Sequence, residues 1–327
     1  MSGILAAQEF DCTLTGDASI QKRPMKRIME PLSLMGARIE SVNQNGCAPL
    51  AVSGSRLHGI CYQSPVASAQ VKSSILLAGL YADGETRVTE PYVSRNHTEL
   101  MLKGFGADVR TEGTTAVIQP ARELSGQKIT VPGDISSAAF FLAAGLLVPG
   151  SEILIRNVGI NPTRDGILRV LKSMGGNIEL LNRRENAGEP VADLLVKTSE
   201  LTAATIGGAI IPTLIDELPM LAGVACFARG TTVIRDAAEL KVKESNRIRI
   251  MADNLNAMGA DVTETDDGLI IRGGRAPHGG PLPSPVGHPH PTTLPPPRLL
   301  APGPTEIVGA ECVDISYPGF YKDLFRL

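Results

Sequence analysis

The chain has 327 residues, 43% of them hydrophobic and 20% charged, with a formal net charge of −3. That length suits about two domains with a sizeable core. The mild acidity argues against nucleic acid or an anionic membrane as the main partner, though not against a small anionic ligand.

Along the chain, a short glycine-centred pattern follows amphipathic runs four times: Met35-Gly36-Ala37-Arg38-Ile39, Phe105-Gly106-Ala107-Asp108-Val109, Met174-Gly175-Gly176-Asn177-Ile178 and Met258-Gly259-Ala260-Asp261-Val262. The glycines lie 70, 69 and 84 residues apart, a period that marks a repeated supersecondary unit. A second set of turns at Gly84, Gly150, Gly230 and Gly303 keeps the same rhythm. Within one unit, Ser73–Leu80 reads as an apolar helix opening on two serines. Thr86–Thr89 reads as an alternating strand. His97–Gly106 is an amphipathic helix ending on glycine. Asp108–Thr111 and Thr115–Gln119 form a hairpin across Gly113. This is a βαβαββ-like unit; Ile135–Val196 repeats it with an amphipathic helix at Asp165–Met174, and Pro212–Arg272 repeats it with one at Arg247–Met258. Burying the apolar helix of each unit predicts helices packed centrally with sheets around them. No G-x-G-x-x-G follows a strand, which disfavours a dinucleotide-binding fold.

Between Pro277 and Pro304 the chain carries 11 of its 24 prolines and three of its five histidines. Proline in a helix interior costs about 3 kcal/mol, so residues 285–298 cannot supply the buried helix that the repeat requires there. His288 and His290 in that stretch make a weak metal candidate. Cys12, Cys47, Cys61, Cys226 and Cys312 lack any C-x-x-C spacing and read as scattered, mostly buried cytosolic thiols. The opening Met1–Ala7 has no basic flank and too short an apolar run for a signal peptide. The longest apolar run, Ala138–Val148, falls short of the roughly 20 residues a membrane span needs. A soluble, cytoplasmic protein is expected.

Three clusters could carry chemistry. Lys243 and Arg247 lie four residues apart on one face of a helix start, with Glu244 beside them; two cations there suit phosphate or carboxylate, and the carboxylate could move a proton. Spacing alone favours a solvated face with i,i+4 pairs. Ser64–Lys72, containing Ser68, Ala69 and Gln70, offers hydroxyl, amide and backbone N–H groups at a buried helix start, or simple N-capping. Asp216 and Glu217 precede a helix with Pro219 near its first turn, again compatible with capping. Arg23 and Arg95 add cations just before helices. Brought together, these groups would bind two small anions and offer carboxylates for proton transfer.

The stretches Leu14–Met25, Ser68-Ala-Gln-Val-Lys72, Arg95-Asn-His-Thr-Glu99, Asn161-Pro-Thr-Arg164, Asp216-Glu-Leu-Pro219 and Lys243-Glu-Ser-Asn-Arg247 resemble the 5-enolpyruvylshikimate-3-phosphate synthase family, in its glyphosate-tolerant-like form. The resemblance covers residues 1 to 274 and resumes at Gly303–Phe320. It implies an α/β fold, a two-domain inside-out α/β barrel of βαβαββ repeats, here with residues 1–133 as an incomplete first domain and 134–327 as the second. It implies transfer of the enolpyruvyl group of phosphoenolpyruvate to the 5-hydroxyl of shikimate 3-phosphate, with no cofactor. By the same resemblance, Asp216 is the base on the 5-hydroxyl and Glu244 moves the proton at the enolpyruvyl methylene. Ser68, Ala69, Gln70 and Arg95 hold shikimate 3-phosphate, Lys243 bridges both substrates, and Arg23 and Arg247 grip phosphoenolpyruvate. Glyphosate is the expected inhibitor, and the full-length form is expected to be monomeric. The family's pattern begins well before the point matched by Met1, and includes G-D-K-S and G-N-x-G-T loops. Its H-G-D-H-R-I-A-M segment, expected before Leu299, is replaced at 276–301 by the proline-rich stretch, as a local reading-frame disturbance could produce. The alternative is a non-catalytic fragment that binds shikimate 3-phosphate or complements a separate N-terminal segment. The related UDP-N-acetylglucosamine enolpyruvyl transferases fit the Ser68–Gln70 and Lys243–Arg247 stretches less well.

Overall fold

Four glycines end four helices in the same way. Gly36, Gly106, Gly175 and Gly259 have φ of +95°, +91°, +93° and +84°, a region that a Cβ makes costly. In each, the N–H of the next residue reaches back to the carbonyl of a leucine five residues earlier. The pairs are Ala37 to Leu32 at 3.0 Å, Ala107 to Leu102 at 2.9 Å, Gly176 to Leu171 at 2.9 Å and Ala260 to Leu255 at 3.0 Å. This is the six-to-one bond of a Schellman cap, and all four leucines are buried. The repeat in the sequence is therefore a repeated way of stopping a helix and turning into a strand.

The computed structural model describes residues 1–121, 123–241, 246–274 and 317–326. The chain divides into two compact units, one of Met1–Thr130 with Asn186–Glu189, the other of Val131–Glu185 with the chain from Pro190 onward. The proline-rich segment 276–301, Lys243, Glu244 and Cys312 lie outside the described residues.

The first unit opens with helix α1 (Ser2–Leu5), strand β1 (Cys12–Leu14), helix α2 (Lys26–Leu34) and strands β2 (Arg38–Ser41) and β3 (Leu50–Ser53), the strands forming an antiparallel sheet in the order β1-β3-β2. A complete βαβαββ unit follows. It comprises β4 (Cys61–Gln63), α3 (Ala69–Gly79), β5 (Thr86–Thr89), α4 (His97–Gly104), β6 (Val109–Glu112) and β7 (Thr115–Ile118). Its sheet order is β4-β5-β7-β6, with β4 parallel to β5 and the other pairs antiparallel. Helix α3 is the buried one: Val71, Ile75, Leu76 and Ala78 join Leu32, Met35, Val88 and Ile118 in the core. Gly3 lets α1 approach α3, because a Cβ there would lie 2.0 Å from the Ser74 carbonyl oxygen.

The second unit repeats the plan. Helix α5 (Ile135–Leu147), β8 (Glu152–Gly159), α6 (Gly166–Ser173), β9 (Asn177–Asn186) and β10 (Glu189–Lys197) give a sheet in the order β8-β10-β9. A single parallel bridge from Gly133 to Val158 stands in place of the unit's first strand. Then come β11 (Thr205–Ile206), α7 (Leu218–Ala225), β12 (Thr231–Ile234), α8 (Arg247–Ala257), β13 (Asp261–Glu264) and β14 (Leu269–Arg272). Their order, β11-β12-β14-β13 with β11 parallel to β12, is that of the β4–β7 sheet. Helices α5 and α7 are apolar on nearly every side, and both enter one core with Ile167, Leu171, Val196 and Ile271. Helix α6 is amphipathic, burying Ile167, Leu168, Val170 and Leu171 while Arg169, Lys172 and Ser173 stay exposed. A short helix, Phe320–Leu324, lays Phe320 edge-on against Phe140 of α5, ring centroids 5.2 Å apart. Among the described residues no helix is long and apolar enough to cross a membrane.

One helix start differs from its sequence expectation. Helix α3 begins at Ala69, capped by Ser68, and not at Ser73. The two serines sit inside the helix because their hydroxyls find other acceptors and donors. Ser74 bonds back to the Val71 carbonyl at 2.8 Å, and Ser73 pairs with Thr98 at 2.7 Å. Ser/Thr back-bonding of this kind is tolerated within helices.

Candidate functional site

The sheet topology fixes where the candidate residues fall. In the first unit, parallel strands β4 and β5 each run into a loop and then into α3 and α4, so Ser68 and Arg95 occupy loops at the same, C-terminal end of the strand pair. In the second unit, β11 and β12 lead in the same way to Asp216, just before α7, and to Arg247, the first residue of α8. Loops at the C-terminal ends of parallel strands are the usual place for ligand groups in α/β sheets, and they also present the N–H groups of helix starts.

In the first unit the two loops are tied together by buried charge. Ser68 caps α3 by accepting the Val71 N–H at 3.5 Å, and its own N–H donates to Glu90 Oε1 at 2.8 Å. Glu90 Oε2 accepts the Ser94 hydroxyl at 2.8 Å and the Ser94 N–H at 3.4 Å. Lys72 Nζ lies 3.0 Å from Glu90 Oε2 and 2.7 Å from Glu99 Oε1, with the Ser94 carbonyl at 3.4 Å. The three side chains are 3%, 2% and 7% exposed, so one buried ammonium is shared by two buried carboxylates. Ala69 is half-buried and Gln70 exposed at the first turn of α3; Arg95 is half-buried just before the α4 cap Asn96. Arg23 is exposed, on extended backbone directly after the 3-10 turn Ile20–Lys22.

The second unit holds a comparable network. Arg164 Nη2 lies 3.2 Å from Glu217 Oε1, 2.6 Å from the Ser136 hydroxyl and 3.5 Å from Asp134 Oδ1. Ser136 also donates to Glu217 Oε1. Asp134 caps α5, accepting the Ser137 N–H at 2.8 Å. The turn carrying Arg164 is set by Asn161, whose side-chain oxygen accepts the Thr163 N–H at 2.9 Å and hydroxyl at 2.7 Å. Asp216 itself is half-buried beside buried Glu217. At the start of α8, Asn246 caps the helix through the Arg249 N–H at 3.2 Å, and Arg247 is half-buried. Next to Arg164, burial raises the Asp165 carboxyl above its ordinary range despite the Arg169 guanidinium at 2.8 Å.

Glu217 therefore corrects one expectation: no side-chain cap bond is made at the α7 start, because its carboxylate is drawn to Arg164 and Ser136. Lys72, Glu90 and Glu99, and Asp134, Ser136 and Arg164, had no assigned role in the sequence. One signal was available: a lysine inside an apolar helix needs buried partners.

A family model described as EPSP synthase (3-phosphoshikimate 1-carboxyvinyltransferase) matches residues 1–324. A 3-phosphoshikimate 1-carboxyvinyltransferase of Thermoanaerobacter sp. (strain X514) is 55% identical over 322 residues, covering 98% of this chain and 76% of that protein. The same enzyme of Geobacter sulfurreducens is 53% identical over 320 residues, covering 98% and 75%. A solved EPSP synthase from Acinetobacter baumannii superposes with a TM-score of 0.90 at 46% identity, covering 99% of this chain and 75% of that one. The enolpyruvyl transferase NikO from Streptomyces tendae shares the fold alone, with a TM-score of 0.76 at 18% identity. The chain belongs to the EPSP synthase family, and its chemistry is enolpyruvyl transfer in the shikimate pathway.

Proposed function

We propose that the loops at the C-terminal ends of the parallel strand pairs carry the substrates of this reaction. Ser68, Ala69, Gln70 and Arg95 hold shikimate 3-phosphate, and Arg23 and Arg247 hold phosphoenolpyruvate, with Lys243 bridging the two. Asp216 takes the proton of the 5-hydroxyl as that oxygen bonds to C2 of phosphoenolpyruvate. Glu244 delivers a proton to C3, giving a tetrahedral intermediate, and takes one back as the C2–O bond to phosphate breaks, while Asp216 passes the 5-hydroxyl proton to the departing phosphate. The products are the enolpyruvyl ether and inorganic phosphate, so atoms and charge balance without a cofactor. Positioned cations and carboxylates account for such a reaction by orientation, charge stabilisation and proton transfer.

The observation that carries this reading is the shared placement of Ser68, Arg95, Asp216 and Arg247, each reached from a strand of the β4/β5 or β11/β12 parallel pair. Residues 1–133 and 134–327 act as the first and second enolpyruvyl transferase domains. The Ser68-Ala-Gln-Val-Lys72 stretch favours glyphosate as a weakly held inhibitor, and a pathway enzyme of this kind fits a cytoplasmic, monomeric protein. The test is phosphate release with each substrate alone and with both. Release that requires both supports the reading. Saturable binding of shikimate 3-phosphate with no release supports the non-catalytic alternative, and no binding refutes both the reading and the binding form of that alternative.

A further inference from the structure

Lysine 72 sits on the buried helix α3, one turn past Ser68, where an ammonium would be costly without partners. Its three N–H donors match three acceptors: Glu99 Oε1 at 2.7 Å, Glu90 Oε2 at 3.0 Å and the Ser94 carbonyl at 3.4 Å. The ammonium is thus used by the protein rather than offered to a ligand. Glu90 then uses both of its oxygens, Oε1 on the Ser68 N–H and Oε2 on Ser94 and Lys72. Glu99 lies in the first turn of α4, where a carboxylate is favoured by the helix dipole. Ser73 and Thr98, paired at 2.7 Å, bring the same two helices together beside this cluster.

We propose that Lys72, Glu90 and Glu99 form a buried positioning triad that locks the Ser68 loop to the Arg95 loop and thereby sets the affinity for the phosphate of shikimate 3-phosphate. The inference rests on the reading of Ser68 and Arg95 given above. Its physical basis is that an anion site gains affinity when its donors are held in place before the ligand arrives. Glu90 sets the direction of the Ser68 N–H, and Ser94, the neighbour of Arg95, hangs from the same carboxylate. A glutamine at position 90 keeps the shape but has one oxygen for the work of two, so one loop must let go.

The test is calorimetric titration of the full chain with shikimate 3-phosphate, for the unaltered protein, Glu90→Gln, Lys72→Met and the core variant Leu50→Ala, whose buried residue lies elsewhere in the same unit. Glu90→Gln is expected to weaken binding about tenfold, the worth of a charge-assisted hydrogen bond, and to speed hydrogen exchange at the Ser68 N–H. Lys72→Met is expected to weaken it at least as much, because it leaves two carboxylates facing one another. Leu50→Ala is expected to lower Tm without moving the affinity. A folded Glu90→Gln protein that binds within about twofold of the unaltered one overturns the proposal. So does an equal loss in Leu50→Ala, since the effect would then follow stability alone. Should Lys72→Met fail to fold, the isosteric Glu90→Gln decides. Failure of the unaltered protein to bind refutes the assignment of Ser68 and Arg95, and this inference with it.

Discussion

Glu217 receives the Arg164 guanidinium at 3.2 Å from a position directly next to Asp216. The carboxylate is 1% exposed and the guanidinium 14%, so the pair fixes the turn that precedes α7 and hence where Asp216 stands. Removing one partner of such a buried pair leaves the other uncompensated, which costs about 3–5 kcal/mol. Glu217→Ala is expected to lose stability in that range by denaturant unfolding. Arg164→Met combined with Glu217→Ala should cost less than the two single changes added together.

The cap glycines predict a conformational cost that can be separated from packing. A Cβ at Gly106 meets nothing within 4 Å, whereas one at Gly175 lies 3.3 Å from the Glu200 carbonyl oxygen. Gly106→Ala should therefore cost only the left-handed backbone term, about 1–2 kcal/mol, and Gly175→Ala more. Gly106→Asn should cost less than Gly106→Ala, because asparagine tolerates this region. Thermal unfolding of the three variants checks the order.

Against the expectation of mostly buried thiols, Cys226 alone is buried among the described cysteines, and it is expected to be the inert one. Burial pushes it up to about 12, and its S–H donates to the Ala222 carbonyl at 3.3 Å. Because the folded value lies above the unfolded one, its contribution to stability is complete below the unfolded value and is lost as pH rises from there toward 12. Alkylation with iodoacetamide at mildly alkaline pH should modify exposed Cys61 and spare Cys226 until the chain unfolds.

On the surface of the β5–β7–β6 sheet, Glu85 and Glu112 alternate with Arg87 and Arg110 at 2.6 to 3.1 Å. Hydrogen bonds from Arg87 to Glu85 and from Arg110 to Glu112 are the leading causes that lower the two carboxyls. Their small contribution is present above the unfolded carboxylate range and is lost as pH falls through the lowered values. Carbon-detected NMR titration should find both carboxyls below the usual range, and added salt should move them back toward it.

The elements legible in the sequence were those with local causes. The Met-Gly and Phe-Gly endings announced the four caps, since only glycine takes that φ cheaply; alternation marked Thr86–Thr89, and the Gly113 turn marked Thr115–Ile118 as a hairpin strand. Distant partners left little trace. Glu217 read as a capping acid, yet its partners Arg164 and Ser136 lie 53 and 81 residues away. Serines 73 and 74 imitated a helix start because their hydroxyls were assigned to the backbone ahead, when they turn to Thr98 and Val71. For the candidate site, residue types were legible at Ser68, Arg95, Asp216 and Arg247, but the buried supports Glu90 and Glu99 depend on how β5 and α4 are set beside α3.

The most direct measurement of the central claim compares the unaltered protein with Asp216→Asn in two assays, shikimate 3-phosphate binding and phosphate release with both substrates present. The amide keeps the size and polarity of the side chain but cannot take the 5-hydroxyl proton. The account predicts nearly unchanged binding and a fall in phosphate release of about 10²–10⁴-fold, the usual worth of a positioned base. Phosphate release at the same rate in both proteins would contradict it.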